Sequence, residues 1–381
     1  MKDQRSILIY YDHLLPYSAT FVKAQAASMS HFSPYYVGSR RVSGIELSSN
    51  RVTVVNDGSR VGSLYESFYK LFGVSPRFYQ RIRNVRPLLI HAHFGPNAVR
   101  ALPIVQRLGI PLVVTFHGYD VTIRDEHVRQ HGTYSHKVYL QKREVLKTKA
   151  LSFIAVSKFV EKKLLEQGFP KDKIYQHYIG IDLDFFQCNP ELKREKIVLF
   201  VARLVEKKGC EFLIRAMSKV QEKYPNAKLL VIGEGPLLSD LEALAQRKLK
   251  NYEFLGVQPP KVIRDLMNRS QVFCVPSVEA ESGDSEAFGM VFAEAQAMGL
   301  PVVSFDSGGI SEVVVHEKTG FLASEKNFNQ LSFYIEKLLA DESLRTRFSH
   351  EGQKFVRSNF NLLKQTRLLE DLYEDLLRAR S

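Results

Sequence analysis

The sequence predicts an α/β chain of two tandem domains, each built on a parallel sheet covered by helices. Three observations carry that expectation. The chain has 381 residues, too many for a single hydrophobic core and in the range of two domains. Short, β-branched, almost continuously apolar runs alternate with helical patterns from end to end, as strands buried on both faces of a parallel sheet require. The alternation restarts at Ile197 after the polar stretch Gln187–Lys196. A Rossmann-like domain is therefore expected over 1–186 and a second over 187–360. The segment 361–381, with apolar spacing at Leu362, Leu363, Leu368, Leu369, Leu372, Leu376 and Leu377, reads as a helix crossing back to the first domain.

Strands are expected at Ile7–Tyr11, Tyr35–Val37, Val52–Val55, Leu88–His93, Leu112–Phe116 and Phe153–Val156 in the first half. Helical spacing separates them at Thr20–Ser30, Asn97–Leu108, Tyr134–Thr148 and Lys158–Gln167. The second half repeats the scheme, with strands at Ile197–Val201, Lys228–Ile232, Glu253–Leu255, Val272–Val275 and Val302–Phe305. Its helices are expected at Cys210–Lys223, Leu237–Arg247, Lys261–Asn268 and Val291–Met298. Between Leu64 and Arg86 a further amphipathic helix is expected. Leu64, Phe68, Leu71, Phe72 and Phe78 would form its apolar face, among Lys70, Arg77, Arg81, Arg83 and Arg86.

Composition narrows the function classes. Hydrophobic residues at 45% and charged residues at 25% describe a globular chain rather than a disordered or fibrous one. Three widely separated cysteines make neither a disulfide framework nor a zinc site. The apolar stretch Ile7–Tyr11 stops at Asp12, too short for a signal-peptide core, so a cytoplasmic protein is expected. Residues 1–185 carry 26 Lys and Arg against 14 Asp and Glu, whereas 186–381 carry 27 of each. The whole excess of +12 sits in the first half, which suits an anionic membrane surface at the inner face of the plasma membrane or a phosphorylated substrate. No nucleic-acid-binding module accompanies it, so nucleic acid is not an expected partner.

Ligands of open parallel sheets bind beyond the carboxyl ends of the strands. After the strand ending at Val275 comes an acidic loop, then Glu286, Phe288, Gly289 and a helix starting near Met290 and Val291. Unpaired N–H groups at that helix start suit a diphosphate. Glu286 just before the helix suits sugar hydroxyls, and Glu294 one turn in suits the two hydroxyls of a ribose. Arg203 and Lys208, after the strand Ile197–Val201, place two cations toward the same diphosphate.

These residues lie in one continuous signature: Glu286-x-Phe288-Gly289, Glu294, Ala297-x-Gly299-x-Pro301, Gly308-Gly309, Glu312 and Gly320-Phe321. With Ala202-Arg203-Leu204 and Lys207-Lys208-Gly209, the chain resembles the retaining family-4 glycosyltransferases of the GT-B fold. That resemblance implies two Rossmann-like domains facing a central cleft, and transfer of a sugar from a nucleotide-diphosphate donor, with UDP-glucose or a close derivative favoured. It implies Glu286, His117, Arg203 and Lys208 as the catalytic group. Glu294, Phe288, Gly289, Met290, Val291, Gly256, Val257 and Thr20 would bind the donor. Thr20 belongs to the loop Pro16-Tyr17-Ser18-Ala19-Thr20-Phe21, where Ala19 stands in place of the family's Glu. His117 comes from Thr115-Phe116-His117-Gly118-Tyr119-Asp120 and would lie near the transferred sugar. The interdomain stretch Ile179-Gly180-Ile181-Asp182 departs from the family's usual Asn-Gly-Val-Asp. The acceptor is expected to be a glycan or a lipid-linked oligosaccharide in bacterial exopolysaccharide synthesis.

Rival readings are weaker. Gly233-Glu234-Gly235 lacks the third glycine of a dinucleotide fingerprint. Asp182 and Asp184 read as linker or helix-cap residues rather than a metal pair, and no divalent metal or other cofactor is expected. His91 and His93 are expected to point to opposite faces of their strand, so that they form no two-histidine site. A non-catalytic, nucleotide-sugar-binding scaffold of a polysaccharide assembly complex is the alternative.

Overall fold

The computed structural model describes residues 5–189 and 191–380. The chain divides into two compact units: the chain through Gly180 together with the segment from Leu362 onward, and Ile181–Asn361. The first boundary thus lies inside the stretch Ile179–Asp182, slightly before the polar segment at which the sequence pattern restarts.

Among the described residues the first unit holds eight parallel strands: β1 (Ser6–Tyr10), β2 (His13–Leu14), β3 (Ser33–Arg41), β4 (Val52–Asn56), β5 (Ile90–His93), β6 (Leu112–Phe116), β7 (Ser152–Ala155) and β8 (Ile174–Gln176). They run β2-β3-β1-β5-β6-β7-β8, with β4 also paired to β3. The connections carry α1 (Thr20–Ala27), α2 (Arg60–Phe72), α3 (Pro76–Val85), α4 (Gly95–Leu108), α5 (Tyr119–Thr122), α6 (Asp125–His131), α7 (Tyr134–Lys149) and α8 (Lys158–Glu166). Strand order reverses between β1 and β5, which places the unit's switch point beside Tyr11 and Phe94.

The second unit has, among the described residues, six parallel strands: β9 (Glu195–Val201), β10 (Lys228–Ile232), β11 (Tyr252–Phe254), β12 (Ser270–Cys274), β13 (Val302–Phe305) and β14 (Gly320–Ala323), in the order β11-β10-β9-β12-β13-β14. Its helices are α9 (Cys210–Lys223), α10 (Leu238–Lys248), α11 (Pro260–Arg269), α12 (Met290–Ala297), α13 (Phe328–Ala340) and α14 (Glu342–Asn359). Order reverses between β9 and β12, so the loops after those two strands flank the switch point.

The last helix, α15 (Leu362–Arg378), belongs to the first unit. Leu369, Tyr373 and Leu376 join a core with Ile7, Ile9, Val22 and Ile154. The buried Glu370 carboxylate accepts the backbone N–H groups of Ser30, His31 and Phe32 at 2.9, 2.6 and 3.1 Å, which would otherwise be orphaned after α1.

The amphipathic stretch 64–86 is two helices rather than one. Ser59 caps α2 by accepting from the Gly62 N–H, and Gly73 ends it in the left-handed region at φ 64°. Pro76 then opens α3, in the first turn, where the N–H that proline lacks would have had no helical partner. Phe78, expected on one apolar face with Leu64, Phe68, Leu71 and Phe72, is instead 2% exposed and packs edge-to-face on Tyr69 at 5.5 Å, away from those exposed residues.

Candidate functional site

The second unit brings the charged residues of the signature together. Lys208, in the loop after β9, ion-pairs with Glu286, in the loop after β12. Lys207 pairs with Asp284 at 3.0 Å, and Ser277 Oγ lies 3.4 Å from the same Glu286 oxygen. Two glycines make this approach possible. Gly209 sits at φ 60°, where a Cβ would fall 1.9 Å from the Pro276 carbonyl oxygen, so the two loops touch backbone to backbone. Gly308 abuts the Glu286 carbonyl in the same way, and the Gly309 N–H donates to that carbonyl at 2.8 Å. Glu286 is thus fixed by backbone on one side and by Lys208 on the other. Burial alone would raise its pKa, but Lys208 and Lys207 outweigh it and hold the carboxyl below the usual range.

Beyond Glu286, Gly289 at φ 76° turns the chain into α12. No side chain caps this helix, and the N–H groups of Met290 and Val291 have no protein partner among the described residues. With Lys208 in the neighbouring loop, these donors make an anion-binding edge. Phe288 turns inward, 2% exposed, and packs edge-to-face on Phe360 at 5.1 Å. Glu294, one turn into α12, is half-buried with no side-chain partner among the described residues, and desolvation raises its pKa to about 7.

Arg203 is exposed and makes no ion pair among the described residues. Its loop is held by the turn after β10, where the Leu204 N–H donates to Glu234 O at 2.9 Å and a Cβ at Gly233 would strike Ala202 O at 1.9 Å. Gly233 N–H in turn donates to Gly256 O at 2.9 Å, which ties in the exposed Val257 beside it. Gly233-Glu234-Gly235 is therefore part of this edge. Sequence reasoning set it aside as an incomplete dinucleotide motif, although its glycines follow a strand end. Asp182 accepts from the Asp184 and Phe185 N–H groups, both at 3.0 Å, a local turn that uses the carboxylate structurally.

The first unit assembles a neutral cluster. His91 and His93 lie on the same face of β5, with ring centroids 4.2 Å apart, which corrects the expectation of opposite faces. The reason is strand geometry: residues two apart share a face. His93 Nδ1 lies 3.0 Å from His117 Nε2, and His91 is held by Tyr373 Oη at 2.5 Å and Thr115 Oγ1 at 2.6 Å. Desolvation lowers the pKa of His117 to about 3, with His91 a lesser influence, so the ring is neutral at physiological pH. Its Nδ1 is buried without a partner among the described residues. Because His93 and His117 share one proton between facing nitrogens, the tautomer of one sets the tautomer of the other.

Asp120 fixes the loop carrying His117. It accepts from the N–H groups of Gly95 and Gly118, each at 2.9 Å, and of His117 at 3.2 Å. Burial raises its pKa to about 6 against the pull of those donors. Phe94, at φ 71° without being glycine, sets its ring 4.5 Å from that of His117 at a tilt of 42°, a strained turn at the end of β5. Thr20 is exposed at the start of α1, whereas Ala19 is 1% exposed and packed into the core. This loop presents a buried methyl where the family pattern carries a carboxylate. Among the described residues, no three potential metal ligands cluster.

Residues 33–185 match the family model Glycosyltransferase Family 4, and residues 184–355 match Glycosyl transferases group 1. The chain is 28% identical over 293 residues to the amylovoran biosynthesis glycosyltransferase AmsK of Erwinia amylovora, covering 74% of this chain and 69% of AmsK. It is 30% identical over 250 residues to the capsular polysaccharide biosynthesis glycosyltransferase CapM of Staphylococcus aureus, covering 60% of this chain and 63% of CapM. The aligned part thus spans about two thirds of these relatives. Among solved structures, Anabaena HepE in complex with UDP-glucose superposes with a TM-score of 0.78 at 20% identity, over 97% of this chain and 99% of HepE. The two adjoining family models account for most of the sequence, and the chain belongs to the family-4 glycosyltransferases of the GT-B fold.

Proposed function

We propose that the chain transfers a hexose from a UDP-sugar, UDP-glucose or a close derivative, with retention of anomeric configuration. The acceptor is a glycan or lipid-linked oligosaccharide in bacterial polysaccharide synthesis. One observation carries the reading. Lys208, Glu286 and the uncapped start of α12 meet at the second unit's switch point, with Arg203 on the loop after the same strand as Lys208. The names of AmsK and CapM and the UDP-glucose complex of HepE support the polysaccharide and UDP-sugar parts.

In this reading Arg203, Lys208 and the N–H groups of Met290 and Val291 bind the diphosphate and stabilise the charge it gains as the anomeric C–O bond breaks. Glu286, ionised and fixed, orients the sugar hydroxyls and keeps Lys208 in place. Glu294 accepts the ribose hydroxyls, and the main chain at Gly256 and Val257 takes the base. From the first unit, the neutral His117 and its backbone carbonyl serve the reacting carbon, and Thr20 serves the donor. The acceptor oxygen attacks on the face the diphosphate leaves, and its proton passes to the departing phosphate oxygen. Cationic side chains and N–H groups supply the countercharge, so transfer is expected to be independent of divalent metal.

A panel of UDP- and GDP-sugars tests this by nucleotide release, with and without EDTA, and by NMR of the product's anomeric centre. The expected result is release from a UDP-hexose at an EDTA-insensitive rate and an α-linked product from an α-linked donor. Binding without turnover of any donor would overturn it in favour of a scaffold. A magnesium-reversible loss in EDTA would overturn the metal-independent step.

A further inference from the structure

Helix α2 is built inside out. Its inner face carries Gly62, Glu66 and Tyr69, all buried. Glu66 accepts from Lys70 at 2.6 Å and Asn56 at 2.8 Å and pairs with Arg40 at 3.0 Å, while Lys70 also reaches Asp12 at 3.3 Å. The outer face carries Val61, Leu64, Tyr65, Phe68, Leu71 and Phe72, exposed by 55, 62, 43, 54, 64 and 65%. These positions follow helical spacing and form a single stripe, on which the Phe68 and Phe72 rings meet at 5.9 Å. A helix on a water-exposed surface ordinarily turns its polar face out. Here the polar groups are spent on closing the edge of the sheet, and the stripe is left without a partner among the described residues. An apolar patch of this kind marks an interaction site.

Charge selects the partner. Arg60, Arg77, Arg81, Arg83 and Arg86 are all exposed on or beside α2 and α3, and Arg77, Arg83 and Arg86 make no ion pair among the described residues. The only carboxylate between residues 60 and 86, Glu66, is buried on the inner face. The surface is therefore apolar and aromatic with a predominantly basic surround, in which the exposed Asp57 before α2 is the acid that faces Arg81, in the basic half of the chain. No helix is long and apolar enough to cross a membrane, among the described residues.

We infer that α2 lies in the interface of an anionic lipid bilayer, its stripe in the acyl boundary and the α3 arginines against the headgroups. Such contact brings the first unit to a lipid-linked acceptor and does not depend on which sugar is transferred.

Flotation of the full chain with vesicles of phosphatidylcholine alone or mixed with phosphatidylglycerol tests the inference. The chain is expected to float with the anionic vesicles at low salt, and to stay in solution with phosphatidylcholine alone or at high salt. Phe68→Glu with Phe72→Glu, and separately Arg81→Glu with Arg83→Glu and Arg86→Glu, should each lower the partition coefficient by at least about tenfold. Circular dichroism, and nucleotide binding by the second unit, should be unchanged in both variants. Failure of the unaltered chain to float with anionic vesicles overturns the inference, and leaves the donor reading untouched. A dimer in sedimentation velocity that the phenylalanine variant dissolves also overturns it, and assigns the stripe to a second copy of the chain.

Discussion

At the carboxyl edge of the second unit's sheet, Lys208, Lys207 and Arg203 are set against Glu286, Asp284 and an uncapped helix start. At the carboxyl edge of the first unit's sheet, His91, His93 and His117 stack as neutral rings beside Phe21 and Phe94. The same architecture thus holds an ion-paired edge in one unit and, in the other, a desolvated edge of neutral rings whose loop the buried Asp120 carboxyl pins. Their titrations differ accordingly: neighbouring lysines outweigh burial and hold Glu286 ionised, whereas burial, with His91 a lesser influence, keeps His117 neutral. In the proposed transfer, leaving-group stabilisation needs fixed charge, which the second unit's edge supplies.

The largest effect should come from breaking the charged edge. Lys208→Ala removes a cation from the diphosphate and leaves the buried Glu286 carboxylate unpaired, so kcat is expected to fall roughly 10²–10³-fold in steady-state transfer. The corresponding test of the first unit is Glu370→Ala, which strands three backbone N–H groups. A loss of about 2–4 kcal/mol is expected in urea unfolding. Hydrogen exchange should rise in β1, β3 and β5 and stay unchanged in β9 to β14; protection lost equally in both units would break the comparison.

Glu294 sharpens the contrast within the second unit. Its folded pKa of about 7 lies above the ordinary value of 4.5, so the stability its proton supports is complete below about pH 4.5 and lost as pH rises through about 7. Glu294→Gln should therefore raise Tm by a few degrees above pH 7 and hardly at all near pH 4.5. UDP affinity of the unaltered chain should improve as pH rises through 7, because the carboxylate then accepts both ribose hydroxyls, and the Gln variant should lose that dependence. The smallest effect is expected of His93→Gln, a change in a positioning residue. A several-fold drop in kcat with little change in KM should accompany a shift in the ¹⁵N signals of His117 as its tautomer equilibrium moves.

The second unit's site was far more legible in the sequence than the first unit's. Arg203, Lys208, Glu286, Glu294 and Gly289 follow strand ends in short, spaced motifs, and glycine and charge are visible at that range. What escaped were pairings across the chain. Lys208 meets Glu286 from 78 positions away, and Tyr373 reaches His91 from 282 away, contacts that only the sheet order creates. Ser277, whose Oγ turns to Glu286, carries no motif of its own, and Gly233 reads as an incomplete dinucleotide motif although its role is to let backbone approach Ala202. The histidine pair was misassigned although the two-residue period sufficed to place both rings on one face. The split at Gly73 and Pro76 was present in the sequence as a helix end and a helix start, and it turns Phe78 inward. The outward stripe of α2 was legible by periodicity, but which side faced water depended on where Glu66 found its partners.

The central claim is that the second unit's charged edge holds the diphosphate of a nucleotide donor without metal. Calorimetric titration of UDP into the full chain in excess EDTA, beside the Arg203→Ala/Lys208→Ala double variant, tests it most directly. The account predicts binding by the unaltered chain in EDTA and at least about tenfold weaker binding by the folded double variant. Equal affinity in the two proteins, or binding by the unaltered chain only after magnesium is restored, would contradict it.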